Sequence, residues 1–277
     1  MGMQINTNIA ANNAYRNLNN TQSDLSKSLE KLSSGLRINR AADDAAGLAI
    51  SEGLKSQVGG ITVAARNAQD GISVVQTAEG QLTEVHSILQ RVRDLAVQAG
   101  NDSNNADSRG AIKTEVDQLT SELTRISGSA NFNGIKLLDG SNASLTFQVG
   151  AGDTAANDQI SVDLSGANVA TVATAVGALT FDSAANALTS ITALDTQIKN
   201  VSTARASLGA VQNRFESAIR SLNVSKENLS AASSRITDTD MADEMVKYTR
   251  SNILSQAGTA MLAQANQSGQ GVLQLLR

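Results

Sequence analysis

Few side chains in this sequence have types and spacing that could do chemistry. Four carboxylates gather at Asp238, Asp240, Asp243 and Glu244, a grouping that invites a calcium reading. An EF-hand loop needs oxygen ligands at positions 1, 3, 5 and 12 with glycine at 6, and these residues do not keep that spacing. Carboxylates are favoured at helix starts, where they meet free N–H groups and the positive end of the dipole. The cluster therefore reads as the cap of a closing helix. A lone histidine, His86, could serve as a base, but it lies within a heptad pattern and no nucleophile accompanies it. It reads as a packing or surface residue. HExxH, a Walker loop and a GxGxxG after a strand are all missing. The chain has no cysteine, so it has no thiolate ligands, thiol nucleophiles or disulfides. With one histidine besides, a conventional zinc site is close to excluded. The expectation is a protein that is not an enzyme, with no catalytic, cofactor-binding or metal residues.

The elements that would position any function are long helices. Proline is absent from all 277 residues, where average usage gives about 14; proline breaks helices, so a chain of long uninterrupted ones fits. Aromatics make up only 2 %, which suits thin helical layers better than a thick core. The net charge of −4 points to no nucleic-acid partner. No apolar run is long enough to span a membrane. The N-terminal residues lack the basic and apolar regions of a cleavable secretory signal.

Counting in sevens from Leu194 gives Val201, Leu208, Phe215, Leu222, Leu229 and Ile236, all apolar. The companion seam, Ile191, Ile198, Arg205, Gln212, Ile219, Lys226 and Ser233, is only partly apolar. A 3.5-residue repeat over 187–236 predicts one long helix packed along its length. About 50 residues make a rod of roughly 75 Å, which needs a partner of similar length. A second rod is predicted from Asp44 to about Ala99, with apolar steps at Leu54, Val58, Ile61, Ala65, Ala68, Ile72, Val75, Ala78, Leu82, Val85, Leu89, Val92 and Ala96. Its glycines, Gly53, Gly59, Gly60, Gly71 and Gly80, each cost up to about 1 kcal/mol relative to Ala, implying close backbone approach or local give. After the turn-rich 100–105, Ile112, Val116, Leu119, Leu123 and Ile126 renew the repeat, as in an antiparallel helical hairpin. The N-terminal helix carries Leu18, Leu25, Leu29, Leu32 and Leu36 and a net charge of +3 over residues 1–40. That charge reads either as a solvated face or as a pattern used in subunit packing.

Asn133-Gly134 and Asp139-Gly140 are turn dipeptides, and Leu145–Val149 and Ile160–Leu164 alternate apolar and polar residues. A small β-hairpin region over about 134–165 is predicted, with 166–185 a loop or a short strand. Beyond 237 the closing helix ends in Val272, Leu273, Gln274, Leu275 and Leu276, an apolar tail that needs a covering partner. The fold class is mainly α: long heptad helices in an elongated bundle with a small β-hairpin region.

Several long segments also resemble a known family. INTNIAANNAYRNL, LEKLSSGLRINRAADDAAGLAIS, NAQDGISVVQTAEGQL, LQRVRDLAVQAGN and FNGIKLLDG stand in the first half of the chain. ARASLGAVQNRFESAI, NLSAASSRITDTDMADEM, ILSQAGTAMLAQANQ and the terminal VLQLLR stand in the second. The sequence resembles bacterial flagellin over about 1–150 and 186–277. The resemblance implies inner-layer helices at 1–40 and 238–277, and middle-layer segments at 41–165 (with the hairpin) and 186–237. It implies a vestigial variable region at 166–185, so that large outer domains are lacking.

By the same resemblance the chain is a structural subunit that polymerises with itself into the flagellar filament, the propeller of swimming motility. Polymerisation residues are then Leu18, Leu25, Leu29, Leu32, Val272, Leu273, Leu275 and Leu276. The resemblance implies secretion by the flagellar type III route to an extracellular filament. Implied partners are an export chaperone, the filament cap and hook-associated junction proteins. The segment recognised by Toll-like receptor 5 matches Gln90–Val97, so Gln90, Arg91, Leu95 and Glu115 are the implied receptor-binding residues. Asp94 departs from the glutamate common in receptor-activating members, and VLQLLR resembles a segment sensed by cytosolic inflammasome receptors. The rival readings are a hook–filament junction protein, which shares the terminal helices, and a cytoplasmic coiled-coil signalling rod, which would share only the heptads.

Overall fold

The structure is a computed structural model that describes residues 8–275, with side chains described through Gln267. The chain is mainly α. In order it runs α1 (Ile9–Ser34), α2 (Ala45–Ala99), α3 (Ala106–Ser129), β1 (Asn131–Phe132), β2 (Ile135–Lys136), β3 (Ser144–Gln148), α4 (Ala155–Asp158), β4 (Gln159–Asp163), α5 (Val169–Gly177), α6 (Ala184–Thr237) and α7 (Met241–Leu275). It divides into two compact units: residues 57–227, and residues 1–56 with 228–277.

The unit formed by 57–227 holds a continuous apolar core. On α2 the predicted positions Ile61, Ala68, Val75, Ala78, Leu82, Val85, Leu89, Val92 and Ala96 are buried, as are Leu194, Val201, Leu208 and Phe215 on α6. Ile112, Val116, Leu123 and Ile126 complete the core from α3, with Leu119 packed against it. Asn105 caps α3 by accepting from the Ser108 N–H at 2.8 Å, and Arg109 Nε donates to the Ala99 carbonyl at the end of α2. These two bonds close the tight turn between the helices. Arg93 with Asp195 (2.6 Å) and Arg205 with Glu79 (3.7 Å) tie α2 to α6. Such exposed pairs contribute little stability and serve mainly to favour one register.

Asn133 and Gly134 both take positive φ, at 49° and 81°, the pairing a tight two-residue hairpin turn demands. They join β1 to β2, while β3 pairs antiparallel with β4 through Leu145↔Val162 and Phe147↔Ile160. Residues 166–185 do not form the loop or short strand expected of them. Val169, Val172, Ala173 and Val176 are buried at helical spacing and make α5, which packs on α3. The alanine, valine and threonine content hid a three–one–three step of apolar residues.

The other unit is built on α1 and α7. Asn8 caps α1 by accepting from the Ala11 N–H, and Gly35 ends it at φ 72°. At one end of the pair Asn8 Nδ2 donates to the Ala265 carbonyl (2.9 Å). At the other, Leu36 and Asp238 bridge, the Arg37 N–H meets the Thr237 carbonyl, and the Thr239 N–H meets that of Gly35. The two helices are therefore antiparallel. Asp44 caps α2 by accepting from the Gly47 N–H at 2.8 Å, as the Asp43-Asp44 start suggests.

Candidate functional site

The acidic cluster lies at the start of α7 and does capping work. Asp240 Oδ1 accepts from the N–H groups of Ala242 (2.9 Å) and Asp243 (3.2 Å), and Asp243 and Glu244 occupy the first turn. Glu244 is the exception among them, being only 4 % exposed. Burial raises its carboxyl, but the hydrogen bond from Ser28, the Lys247 ammonium at 3.2 Å and the charge of Lys31 outweigh it. The net effect holds Glu244 below the ordinary carboxylate range.

Glu244 opens the seam along which α7 faces α1. Less exposed positions of α7 run through Glu244, Tyr248, Ser251, Ser255, Gly258, Leu262 and Ala265, and of α1 through Ala11, Ala14, Leu18, Thr21, Leu25, Ser28 and Leu32, with Asn252, Glu30 and Lys31 half-buried beside them. Both keep the alternating three–four step of a coiled coil. The α7 seam, however, is mostly small or polar. Leu18 packs on bare backbone at Gly258, where an added Cβ would stand 3.2 Å from its Cδ1. Ser255 Oγ donates to Gln22 Oε1.

The large apolar side chains of α7 point elsewhere. Met245 (50 % exposed), Val246 (58 %), Ile253 (61 %), Leu254 (51 %) and Met261 (64 %) stand outward. A shallow depression of about 450 Å³ is lined by Met245, Val246, Thr249, Arg250, Ile253 and Leu254. On α1, Ile9, Tyr15 and Leu29 are likewise exposed. Leucines of α1 thus pack on a mostly small and polar face of α7, and α7 presents most of its large apolar residues to the outside, the reverse of a helix built to stand alone with one partner. A contiguous apolar surface of this kind marks an interaction site.

Of the polymerisation candidates, Leu18, Leu25 and Leu32 lie in the α1–α7 seam, whereas Leu29 is 53 % exposed. The side chains of Val272, Leu273 and Leu275, and Leu276 altogether, lie outside the described residues. The outward residues Val246, Ile253 and Leu254 are additional candidates. The signal for them is the polar heptad at 244–248–251–255, which leaves the apolar residues of α7 off its seam.

Arg91 and Glu115 are brought together across the α2–α3 hairpin. Arg91 Nε and Nη2 donate to Glu115 Oε1 at 2.9 and 2.6 Å, and both side chains are about half exposed. Gln90 is exposed one turn beyond His86, with Nε2 3.0 Å from the imidazole Nε2. Leu95 is placed differently: at 2 % exposure it belongs to the core. Gln90, Arg91 and Glu115 are thus exposed, while Leu95 is buried. Among the described residues no three acidic or histidine side chains converge as for a metal, and no helix is long and apolar enough to cross a membrane.

Family models described as the bacterial flagellin N-terminal helical region and the bacterial flagellin C-terminal helical region match residues 5–143 and 191–276. The chain is 51 % identical over 275 residues to a flagellin of Halalkalibacterium halodurans, covering 99 % of this chain and 100 % of that one. It is 48 % identical over 307 residues to a flagellin of Bacillus subtilis, with coverage of 99 % and 100 %. Among solved structures, a Bacillus cereus flagellin is 33 % identical at a TM-score of 0.49, over 57 % of this chain and 88 % of that one.

Proposed function

Because this chain belongs to the bacterial flagellin family, we propose that the outward apolar face of α7 is where subunits of the flagellar filament pack on one another. The protein is a structural subunit that polymerises into that filament, the propeller of motility. One observation carries the assignment of the face. A helix pair that turns Val246, Ile253 and Leu254 outward is complete only when another molecule covers them, and in a homopolymer that molecule is a second copy. The experiment is the protein composition of filaments sheared from the source cells. Dominance of this chain is the expected result. A trace quantity would make it a junction component and overturn the reading.

The finer parts of the reading follow from the same identity. The subunit leaves by the flagellar type III route, and its filament is extracellular. A chaperone holds the terminal helices before export, and the cap and hook-associated junction proteins are its neighbours at the filament ends. The α1–α7 pairing that each subunit needs also couples to pH through Glu244. A carboxylate whose folded pKa lies below its unfolded value contributes stability above about pH 4.3, and that stability is lost as pH falls through the folded value. Filaments of Glu244→Gln should therefore show a weaker acid dependence of disassembly than wild type below about pH 4.5. Sedimentation across that range reads the difference, and identical acid profiles would exclude Glu244 as a contributor.

Recognition by Toll-like receptor 5 is proposed for the Gln90–Arg91–Glu115 surface, supported by the Arg91–Glu115 pair held on two rigid helices. Neither half-exposed residue is part of the core, so Arg91→Ala should leave the fold intact. It should weaken activation of receptor-bearing reporter cells by the monomer by about tenfold or more, the loss expected when an arginine anchor is truncated. Silence of the wild-type monomer at high concentration would refute the assignment.

A further inference from the structure

The three described methionines, Met241, Met245 and Met261, are all exposed, at 48, 50 and 64 %. All three lie on α7, and Met245 lines the outward apolar depression beside Val246, Ile253 and Leu254. The sequence holds no cysteine and no tryptophan, so no thiol or indole competes for an oxidant. Methionine thioethers are the side chains here most open to two-electron oxidation. Among the described residues the exposed thioethers therefore all lie on α7, and Met245 is open on its outward apolar face before assembly.

We propose that these thioethers, Met245 foremost, are an oxidation site through which peroxides block incorporation of free subunits into the filament. This rests on the reading of the α7 face as the subunit interface. In the step, a sulfur lone pair of Met245 attacks one oxygen of hydrogen peroxide. The S–O bond forms as the O–O bond breaks, sulfur gives up two electrons, and after proton transfer the other oxygen leaves as water. The product is a sulfoxide, polar and dipolar where the thioether was apolar and pliant. A free subunit tolerates it, because the group stays in water. An assembling subunit must strip water from the S=O beside Val246, Ile253 and Leu254, where the thioether it replaces needed no hydrogen bond, and burying a polar group that loses its water is costly. Once the neighbour is seated the sulfur is covered, so finished filaments resist the same dose.

The test oxidises purified wild-type subunits partially with hydrogen peroxide, removes the peroxide, and adds untreated filament fragments as seeds. Grown filaments are sedimented, and the sulfoxide content of each methionine is measured by peptide mass spectrometry in pellet and supernatant. Sulfoxide at Met245 should be enriched in the unassembled fraction and depleted from the pellet, and methionine sulfoxide reductase should return that fraction to assembly. A variant carrying Met241→Leu, Met245→Leu and Met261→Leu keeps Met1 and Met3 and should grow equally well before and after peroxide. Even partition of Met245 sulfoxide between pellet and supernatant would overturn the proposal. So would equal loss of growth by the oxidised triple variant. Failure of untreated wild-type subunits to grow on seeds would instead overturn the filament reading beneath it.

Discussion

Truncating Phe215 to alanine should lower the stability of residues 57–227 by about 3–5 kcal/mol, the range for a buried aromatic removed from a well-packed core. Phe215 has no exposed surface. Its ring meets Phe147 of β3 edge to face, with centroids 5.6 Å apart at 88°, an arrangement that adds to simple burial. Across α2 it lies on Gly71, where a Cβ would stand 2.7 Å from the ring Cζ. One side chain thus joins α6, the strand pair and α2. Helix backbones held along their whole length cannot collapse into the space it would leave. At roughly 2–4 °C per kcal/mol for a domain of this size, the melting midpoint should fall by roughly 6–20 °C. Circular dichroism on heating reads this directly, and an unchanged midpoint would mean that the core does not depend on the Phe215 contact.

The same contact shows what could be read in the sequence. Heptads translated into burial in the middle of the rods, where every predicted step of α2 from Val75 to Ala96 is buried, whereas Leu54, Val58, Ala65 and Ile72 of α2 and Leu222, Leu229 and Ile236 of α6 are only half-buried. The turns also translated, because Asn133-Gly134 supplies the two positive φ values that its hairpin needs. The glycines of α2 could not be sorted in advance. Gly71 and Gly60 are close-approach positions, against Phe215 and Ala151, while Gly53, Gly59 and Gly80 meet nothing within 4 Å. Close approach depends on what a distant segment brings to that point, and no local pattern encodes it. The same limit applied to α7. Small and polar side chains can form a seam as well as leucines can, so a search for apolar steps passes over it, and Leu29 looks like a seam residue while standing outside it. Leu95 is implied as a receptor contact by resemblance alone, whereas its place in the heptad pattern, among Val92 and Ala96, is that of a core residue, and it is 2 % exposed.

That inverted arrangement sets the largest effect expected on assembly, from Ile253→Asp. Ile253 is 61 % exposed and lies among Val246, Leu254 and Met245, so the isolated subunit keeps its contacts and its helicity when the side chain changes. In the filament every copy would have to bury a carboxylate among Met245, Val246 and Leu254, with Arg250 the one cation lining the α7 depression, and even a paired buried carboxylate carries a desolvation cost of several kcal/mol after relaxation. Each 1.4 kcal/mol is a tenfold change in an association constant, so the concentration needed for growth should rise beyond practical reach. Seeded growth followed by sedimentation should yield no pellet, while circular dichroism matches wild type. Normal filaments from this variant would show that the face is not the interface, and the outward apolar residues of α7 would then need another partner. A variant that failed to assemble and also lost helicity would place Ile253 in the folding of its own unit. Its exposure argues against that outcome, since a side chain with most of its surface in water has little internal packing to lose.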